Sequence, residues 1–334
     1  MAMVILGIES SCDDTSASIV IDGKVKSNVV AGQDVHKEYG GVIPELASRA
    51  HQQNIIPVVQ SAIEKGGVKK EDLSAIAFTR GPGLLGPLLV GTCFAKSFAS
   101  GLDIPIIEVN HIQAHIFAHF IDDPKPKFPF LCLTVSGGHT QIVLVRDYFD
   151  MEIVGSTQDD AAGEAFDKSA KILNLPYPGG PLVDKYANLG DIHRFPFPEA
   201  KVGGFDFSFS GLKTSILYFV RREMHKNPEF INENLNDICA SIQHRIVTTL
   251  LNKVKKAANE LKVTQVAVAG GVSANSFLRK YLTDMAVAEG WETYIPDFQY
   301  CTDNAGMIAI TGYYKYLKKE FTTNDVSPLP RMPY

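Results

Sequence analysis

The sequence lacks the segments that would carry a protein into or across a membrane. No apolar run approaches the ~20 residues that a helix needs to span a bilayer. Residues 3–6 are apolar, but Gly7 follows at once, and neither the basic flank nor the cleavage site of a signal peptide is present. We therefore expect a cytosolic protein that contacts no membrane.

Paired cysteines and an excess of positive charge are also missing. None of the five cysteines forms a CxxC pair, so reduced thiols are expected. The formal net charge of −5 argues against a chain that binds nucleic acid unaided, because neutralising phosphates supplies most non-specific affinity. Short basic clusters exist, among them Arg221 and Arg222 with Lys226. A nucleic-acid surface built from several clusters, or completed by a partner, stays open.

The length and the order of apolar segments predict two domains of related design. A chain of 334 residues exceeds one ordinary domain. Strand-like segments at residues 3–8, 15–21 and 24–30 recur in pattern at 130–135, 140–145 and 151–156, and helical sequence follows each set, which indicates an internal duplication. Strands alternating with helices predict an α/β fold. We place an N-terminal lobe at residues 1–127 and a C-terminal lobe, with a helical insertion, at 128–334.

Two histidines are candidate metal ligands. His111 and His115 lie four residues apart in a segment expected to be helical, so both rings project from one face, which suits a metal. A polar helix face or a satisfied core pair explains this spacing equally well. A metallopeptidase helix would carry Glu after the first His as general base, and Ile112 stands there instead. Asp303, near the start of a final helix, is either a third ligand or a helix cap.

Two glycine-containing loops are candidate nucleotide contacts, although no Walker-type GxxxxGK[ST] loop exists. Thr134-Val-Ser-Gly-Gly-His-Thr140 joins two strands, and its free amides could cradle phosphate oxygens. A plain hairpin turn would use the same glycines. Asn275 lies in a loop between a buried strand and a helix, where it could read a purine edge.

Several acidic residues lie near predicted turns and helix starts. Asp13 follows the first strand, where it could hold a cation or accept a proton, although a solvated turn is the ordinary explanation. Asp167, with Gly180 and Asp184, could hydrogen-bond a ribose or a small polar substrate. Acids near a helix start also favour the helix dipole, so a structural role stays open.

Eight stretches, taken in order along the chain, form a specific set of motifs. They are Gly7-Ile-Glu-Ser-Ser-Cys-Asp13, His111-Ile-Gln-Ala-His115, Ser136-Gly-Gly-His-Thr-Gln141, Asp159-Asp-Ala-Ala-Gly-Glu-Ala-Phe-Asp-Lys168, Tyr177-Pro-Gly-Gly-Pro181, Phe207-Ser-Phe-Ser-Gly-Leu-Lys213, Ala269-Gly-Gly-Val-Ser-Ala-Asn275 and Thr302-Asp-Asn304. Together they resemble the motifs of one family, the bacterial form of TsaD (formerly Gcp), the tRNA N6-adenosine threonylcarbamoyltransferases. The resemblance covers residues 5–314.

The resemblance implies a fold and a reaction. The fold is the two-lobed one of actin, Hsp70 and sugar kinases, with duplicated RNase H-like units and a cleft between the lobes. In the reaction, threonylcarbamoyl-AMP, made by a separate synthase, donates its threonylcarbamoyl group to N6 of the adenosine 3′ to the anticodon. The substrates are tRNAs that read codons beginning with A, and AMP is released.

The resemblance also implies site residues and partners. It assigns one divalent metal per subunit, iron or alternatively zinc, to His111, His115 and Asp303. It implies tRNA as substrate and partner subunits of the TsaB and TsaE kinds. Asp14 departs from the usual Glu, which keeps the charge and shortens its reach. Adenylate and substrate contacts fall on Thr134, Val135, Ser136, Gly137, Gly138, Asp167, Gly180, Asp184 and Asn275.

The expected chemistry is direct acyl transfer without a covalent enzyme intermediate. The donor is a mixed anhydride with AMP as a good leaving group, whereas the exocyclic amine of adenine is a poor nucleophile, so both must be positioned. A metal could polarise a donor oxygen. Amides of residues 136–138 could stabilise the developing negative charge, and Asp13 is our candidate for accepting the amine proton.

Three other interpretations compete with this one. Another carbamoyltransferase or a small-molecule kinase could share the fold, because fold alone does not fix function. A non-catalytic binding module, like the degenerate partner subunits of this system, would be expected to lack the metal ligands. The historical glycoprotease label is disfavoured by Ile112.

Overall fold

The computed structural model describes residues 2–334, which form two compact units. The first unit combines Met1–Lys125 with Asp297–Tyr334, and the second is Pro126–Pro296. The strands are β1 (Val4–Glu9), β2 (Thr15–Ile21), β3 (Lys24–Ala31), β4 (Ala75–Gly81), β5 (Ile106–Asn110), β6 (Phe130–Val135), β7 (Thr140–Asp147), β8 (Asp150–Ser156), β9 (Gln265–Ala269) and β10 (Glu292–Tyr294).

Helices separate most of the parallel strands. The α-helices are α1 (Pro44–Lys65), α2 (Leu85–Leu102), α3 (His111–Phe117), α4 (Ala162–Ile172), α5 (Gly179–Ala187), α6 (Ser210–Lys226), α7 (Phe230–Leu261), α8 (Ser276–Glu289) and α9 (Ala305–Leu317). Short 3-10 helices lie at Asp34–Tyr39, Lys70–Asp72, Ala118–Phe120, Gly271–Ala274 and Phe298–Tyr300.

The two sheets have the same topology, which confirms the duplication read from the hairpin pattern. The first sheet has the order β3-β2-β1-β4-β5, and the second has β10-β9-β6-β7-β8, the same order read from the other edge. The central strand of the first sheet, β1, pairs antiparallel with β2 and parallel with β4. The central strand of the second sheet, β6, likewise pairs antiparallel with β7 and parallel with β9. Parallel strands of this kind bind ligands beyond their carboxyl ends.

Alternation along β1 gives the first sheet two buried faces. Leu6 and Ile8 belong to the core that α1 and α2 cover, together with Ile55, Val59 and other apolar side chains. The intervening residues face α9, because successive side chains of a strand point to opposite faces. All six residues of β1 are buried for this reason.

The second unit has one large core. Leu131 and Leu133 of β6, Ile142 of β7 and Val268 of β9 are fully buried against helices of this unit. The long helix α7 contributes a continuous apolar stripe to this core, including Ile246 and Leu250. The core therefore fixes the sheet on which the loops of the candidate site are mounted.

The position of the final helix differs from the sequence-based division of the chain. We had assigned all of residues 128–334 to the C-terminal lobe, whereas Asp297–Tyr334 lies in the first unit. The reason is that α9 packs on β1, β2 and β4. At Gly7, an added Cβ would lie 2.6 Å from Ala305 O and Ala309 N, so helix and strand approach closely.

One further segment differs from expectation. The sequence analysis predicts no apolar run of membrane-spanning length, yet α2 is long and apolar enough by length and composition alone. In the structure α2 packs on α1 and β4 of the first unit, with Leu88, Ala95 and Ala99 buried, as in the core helix of a globular unit.

Substituting Gly7→Ala tests the packing of α9 on β1. We expect a loss of about 1–3 kcal/mol in the free energy of unfolding, because overpacking a rigid backbone contact costs that much. Gly101→Ala is the control, since a Cβ at Gly101 in α2 meets nothing within 4 Å. Urea denaturation measures both variants. A Gly7→Ala protein as stable as wild type would contradict this packing.

Candidate metal centre and nucleotide cavity

The histidine pair is set by the junction of β5 and α3. Asn110 ends the strand, and its Oδ1 accepts hydrogen bonds from Ile112 N at 2.9 Å and Gln113 N at 3.1 Å, which starts the helix at His111. This confirms the helical spacing: the His111 and His115 ring centroids lie 4.8 Å apart. Ile112 is buried in the core, so the position of a peptidase general base holds an apolar side chain.

Asp303 joins the two histidines from the opposite end of the first unit's sequence. Its Oδ1 lies 3.4 Å from His111 Nε2 and 3.3 Å from His115 Nε2. The alternative role as a helix cap belongs instead to Asn304, whose Oδ1 accepts the Met307 amide at 3.1 Å. Asp303 is therefore free to direct its carboxylate at the imidazoles.

The donor set fits a divalent metal ion. Ligands held about 2.0–2.2 Å from such an ion lie roughly 3.0–3.4 Å apart at angles between octahedral and tetrahedral. Both Asp303–histidine distances agree with this range, and the three ligand atoms all lie within 4.8 Å of one another. His115 is fully enclosed, and apart from the Asp303 carboxylate 3.3 Å from Nε2, its ring nitrogens have no hydrogen-bond partner among the described residues. A buried nitrogen without a partner is costly unless it binds something else. The Asp303 side chain stays 27% exposed, which leaves an open approach.

Glu9 is a supporting residue that the sequence analysis missed. Its Oε2 lies 3.0 Å from His111 Nδ1 and accepts the Thr79 hydroxyl at 2.7 Å, while Oε1 accepts the Ser11 amide at 2.5 Å. A carboxylate on one ring nitrogen fixes the tautomer that presents the other to a metal. The signal was a charged residue at the end of the apolar strand 4–9, but its partner lies about 100 positions away in the sequence.

The charges of this cluster are strongly coupled. Burial opposes ionisation of His111, Glu9 and Asp303. The two carboxylates nevertheless raise the pKa of His111 well above its ordinary value. His111 in turn holds the pKa values of Glu9 and Asp303 below their usual range. Burial and the neighbouring acids Asp13, Asp303 and Glu9 raise the pKa of Asp14 to about 7. The excess of negative charge favours a bound cation.

The turn that carries Asp13 is held by a buried histidine. His51 of α1 lies 2.7 Å from the Thr15 hydroxyl through Nδ1 and 3.1 Å from Cys12 O through Nε2. Burial lowers the pKa of His51, so the ring stays neutral and its two nitrogens link α1 to the turn. Asp13 itself is half-buried in this turn, in the same unit as the metal cluster.

A cavity of about 270 Å³ lies within the second unit, at the carboxyl ends of β6 and β9. Five of the nine nucleotide-contact residues that we expected line it, and four do not. Thr134 and Val135 are fully buried in β6, and Ser136 and Gly138 lie in the adjoining turn. The expected residues that line the cavity are Gly137, Asp167, Gly180, Asp184 and Asn275.

The polar side chains of the cavity mainly hold its walls in place. Asp167 Oδ1 accepts the Gly179 and Gly180 amides at 2.9 and 3.0 Å, which fixes the start of α5. Asp184 accepts the amide and hydroxyl of Ser276 at the start of α8. Their structural role, left open by the sequence, is thus observed.

Asn275 lines the cavity and also has a structural role, while the purine-reading role expected from the sequence stays a prediction. Its Oδ1 accepts the Leu278 amide at 2.9 Å, and its Nδ2 donates to Gln243 Oε1 at 2.8 Å. Only a small part of the amide is left for a ligand, because the side chain is 9% exposed.

Two glycines that the sequence analysis did not single out bring the walls together. A Cβ at Gly163 would lie 2.6 Å from Ser136 O, and one at Gly270, where φ is +87°, would lie 2.4 Å from Val135 O. The first turn of α4 and the loop after β9 therefore both touch the turn after β6. A side chain at either position would push these three walls apart.

Comparison with known proteins shows similarity along the whole chain. Residues 24–310 match the family model TsaD, described as tRNA N6-adenosine threonylcarbamoyltransferase. A protein of that name from Christiangramia forsetii is 62% identical over 333 residues, which covers 99% of this chain and 98% of the relative. Another from Cytophaga hutchinsonii is 56% identical over 332 residues, with 99% and 97% covered.

Solved structures support the fold alone. HypF from T. kodakarensis superimposes with a TM-score of 0.64 at 15% identity, over 95% of this chain and 48% of HypF. A full-length HypF in a phosphate- and nucleotide-bound form gives 0.58 at 14% identity, over 93% and 46%. The chain spans about half of each HypF. The expected actin, Hsp70 and sugar-kinase fold class is confirmed by these neighbours and by the two matching sheets.

Substituting Glu9→Gln tests its supporting role. We expect metal affinity to fall about 10- to 100-fold, because losing an outer-shell carboxylate releases the ring orientation of His111. Titration of the metal-free protein with Zn²⁺ or Fe²⁺ measures the change. Glu45→Gln, at an exposed position of α1, is the control and should bind like wild type. Equal affinity in Glu9→Gln would show that the cluster needs no such support.

Substituting Gly180→Val tests the cavity as a nucleotide site. The nearest atom to an added Cβ is Phe166 Cβ at 3.8 Å, so the side chain fits and occupies the cavity. We expect AMP binding, measured by calorimetry, to be lost with little change in melting temperature. Gly211→Val is the matched control, because Gly211 is also the second residue of a helix and its added Cβ meets nothing within 4 Å. Unchanged AMP affinity in Gly180→Val would place the nucleotide elsewhere.

Proposed function

Because the chain belongs to the TsaD family of tRNA N6-adenosine threonylcarbamoyltransferases, we propose that it transfers threonylcarbamoyl from threonylcarbamoyl-AMP to N6 of an adenosine in tRNA, releasing AMP. The adenosine is the one 3′ to the anticodon, in tRNAs that read codons beginning with A. The observation that carries this proposal is the full-length match to relatives of this name at 56–62% identity. It favours this function over a carbamoyltransferase of another kind or a small-molecule kinase.

The metal centre is proposed to hold iron, with zinc as the alternative. His111, His115 and Asp303 form a two-histidine, one-carboxylate set, which suits Fe²⁺ and Zn²⁺. Such an ion would supply Lewis acidity toward a donor oxygen. The presence of all three ligands in one cluster argues against a degenerate, non-catalytic subunit.

The cavity of the second unit is proposed to bind the adenylate half of the donor. Its glycine-rich walls allow close approach of backbone amides to phosphate oxygens. Gly137 is exposed at the cavity wall, whereas the Ser136 amide already donates to His139 O at 2.8 Å. The proposed anion-stabilising role of residues 136–138 therefore rests on the two glycine amides rather than on Ser136.

The adenine amine needs a proton acceptor, and Asp13 is our proposed residue. Asp14 is its neighbour in the same turn, and burial together with the nearby acids raises its pKa to about 7. A general base works best when its pKa lies near the operating pH, so Asp14 is the alternative acceptor. Comparing the activities of Asp13→Asn and Asp14→Asn shows which carboxylate accepts the proton. In the proposed route the amine attacks the donor carbonyl directly, the bond to AMP breaks, and no enzyme adduct forms.

The working state is proposed to be a cytosolic assembly. The formal charge of −5 leaves little general attraction for tRNA, so partner subunits of the TsaB and TsaE kinds are proposed to complete the tRNA-binding surface. The isolated chain is accordingly expected to modify tRNA poorly.

Combining the chain with such partners, threonylcarbamoyl-AMP and unmodified tRNA tests the function. We expect the modified nucleoside by mass spectrometry, and a loss of at least about 100-fold in rate, with loss of bound metal, in Asp303→Asn. Asp284→Asn, an exposed acid on α8, is the control. The intact-protein mass should show no adduct with donor alone. Formation of the modified base at the wild-type rate by metal-free Asp303→Asn would contradict the metal role, and no product from wild type would contradict the function.

A further inference from the structure

A second concave surface of the second unit lies well along helix α6 and is lined by aromatic rings. We call it the aromatic groove, and its volume is about 640 Å³. It is separate from the metal cluster and from the nucleotide cavity, with which it shares no lining residue. Its lining residues are Phe195, Pro196, Phe197, Ser215, Tyr218, Phe219 and Arg222.

Three phenylalanine rings of the groove pack together, and a tyrosine beside them is exposed. Phe219 packs against Phe195 and Phe197, with ring centroids 5.1 and 5.5 Å away. Tyr218 follows on the solvent side of the same helix and is 65% exposed. An exposed tyrosine beside packed aromatic rings offers a flat apolar face to a ligand.

Guanidinium groups lie over two of these rings. Arg222 Cζ is 5.6 Å from the centroid of Phe219, and Arg194 Cζ is 6.0 Å from that of Phe195. Arg222 follows Tyr218 by four residues, so both side chains project from one face of α6. Arg222 pairs with Glu223, but its side chain is 64% exposed and Glu223 also pairs with Lys226, so a phosphate can approach the guanidinium.

The charge around the groove is opposite in sign to that of the whole chain. Residues 194–226 hold six Lys and Arg against three Asp and Glu, an excess of three positive charges in a protein of net charge −5. A basic surface with interleaved aromatic rings is the pattern of proteins that bind single-stranded nucleic acid. An apolar peptide segment would gain nothing from this charge.

We propose that the aromatic groove binds unpaired nucleotides of the tRNA substrate, with a base stacked on Tyr218 and a backbone phosphate held by Arg222. This inference rests on the proposed function, because it names the surface through which the same substrate is held. Stacking on an aromatic ring tolerates any base, so the contact serves affinity and leaves sequence choice to the nucleotide that is modified.

The start of α6 ties the groove to the nucleotide cavity. Asp159 accepts hydrogen bonds from the Ser208 and Ser210 hydroxyls and the Phe209 amide, which anchors this end of the helix. Asp159 lies three residues before α4, whose first turn lines the cavity. Tyr218 lies eight residues beyond Ser210, about 12 Å along the axis, the length of a few stacked nucleotides. One RNA loop can therefore span from the anchored end of α6 to the groove.

Binding of unmodified tRNA by the assembled protein, measured by fluorescence anisotropy over a range of salt, tests the groove. We expect Tyr218→Ala to weaken binding about tenfold and Tyr218→Phe, which keeps the ring, to stay within about twofold of wild type. Arg222→Ala should lower the slope of log affinity against log salt by about 1. Arg146→Ala, an exposed arginine of β7 paired with Glu152, is the charge-matched control. AMP binding to the cavity should be unchanged in every variant.

The outcomes separate this inference from the proposed function. If Tyr218→Ala has wild-type activity and unaltered tRNA affinity, the groove does not bind tRNA, and the proposed function is unaffected. Variants that bind tRNA normally but lose a partner protein would also overturn it, because the groove would then be a protein-docking surface. A wild-type assembly that modifies no tRNA would overturn the proposed function and this inference with it. A raised KM for tRNA with an unchanged KM for the donor in Tyr218→Ala or Arg222→Ala supports both the groove as a tRNA contact and the proposed function.

Discussion

Close packing of α9 against β1 is the constraint on which the metal centre depends. Gly7 lets the backbone of the helix approach the strand, and this fixes where α9 begins and hence where Asp303 points. The same strand ends at Glu9, which orients His111 from the other side. Strand β1 thus positions two carboxylates: Asp303, through the packing of α9, and Glu9, at its own end. A substitution that disturbs the packing of β1 would therefore disturb the proposed metal site without changing any of its three ligands.

The nucleotide cavity of the second unit follows a different principle. Its side-chain polar groups are largely engaged within the protein, where Asp167, Asp184 and Asn275 fix the starts of α5 and α8. What is left for a ligand is mostly backbone, presented by glycine-rich turns. The starts of α5 and α8 are already hydrogen-bonded without a ligand, so these two walls are preformed. The chemistry of the metal centre and the shape of the cavity are therefore determined by separate sets of residues.

The sequence predicted local features well and long-range ones poorly. The four-residue spacing of His111 and His115 was sufficient to predict one helical face, and the repeated hairpin pattern predicted two sheets of one topology. Glu9 was missed, because periodicity does not reveal a partner about 100 residues away. The hydrogen bond between the Asn275 amide and Gln243 was not predicted, because Gln243 lies on another helix. Asp303 could be chosen over its role as a cap only through the family motifs. The return of α9 to the first unit was missed because an amphipathic pattern shows that a helix is covered without showing by which sheet.

The chain path gives the metal cluster a consequence for biosynthesis. The first unit is interrupted after Lys125 and resumes at Asp297, so the entire second unit is an insertion within it. A ribosome therefore releases His111 and His115 long before Asp303 is made. A prematurely terminated chain contains the two histidines and Glu9 but lacks the third proposed ligand and the helix that covers the sheet. The three-residue cluster therefore forms only with the last segment of the chain, and binding of the proposed metal ion would follow completion of synthesis.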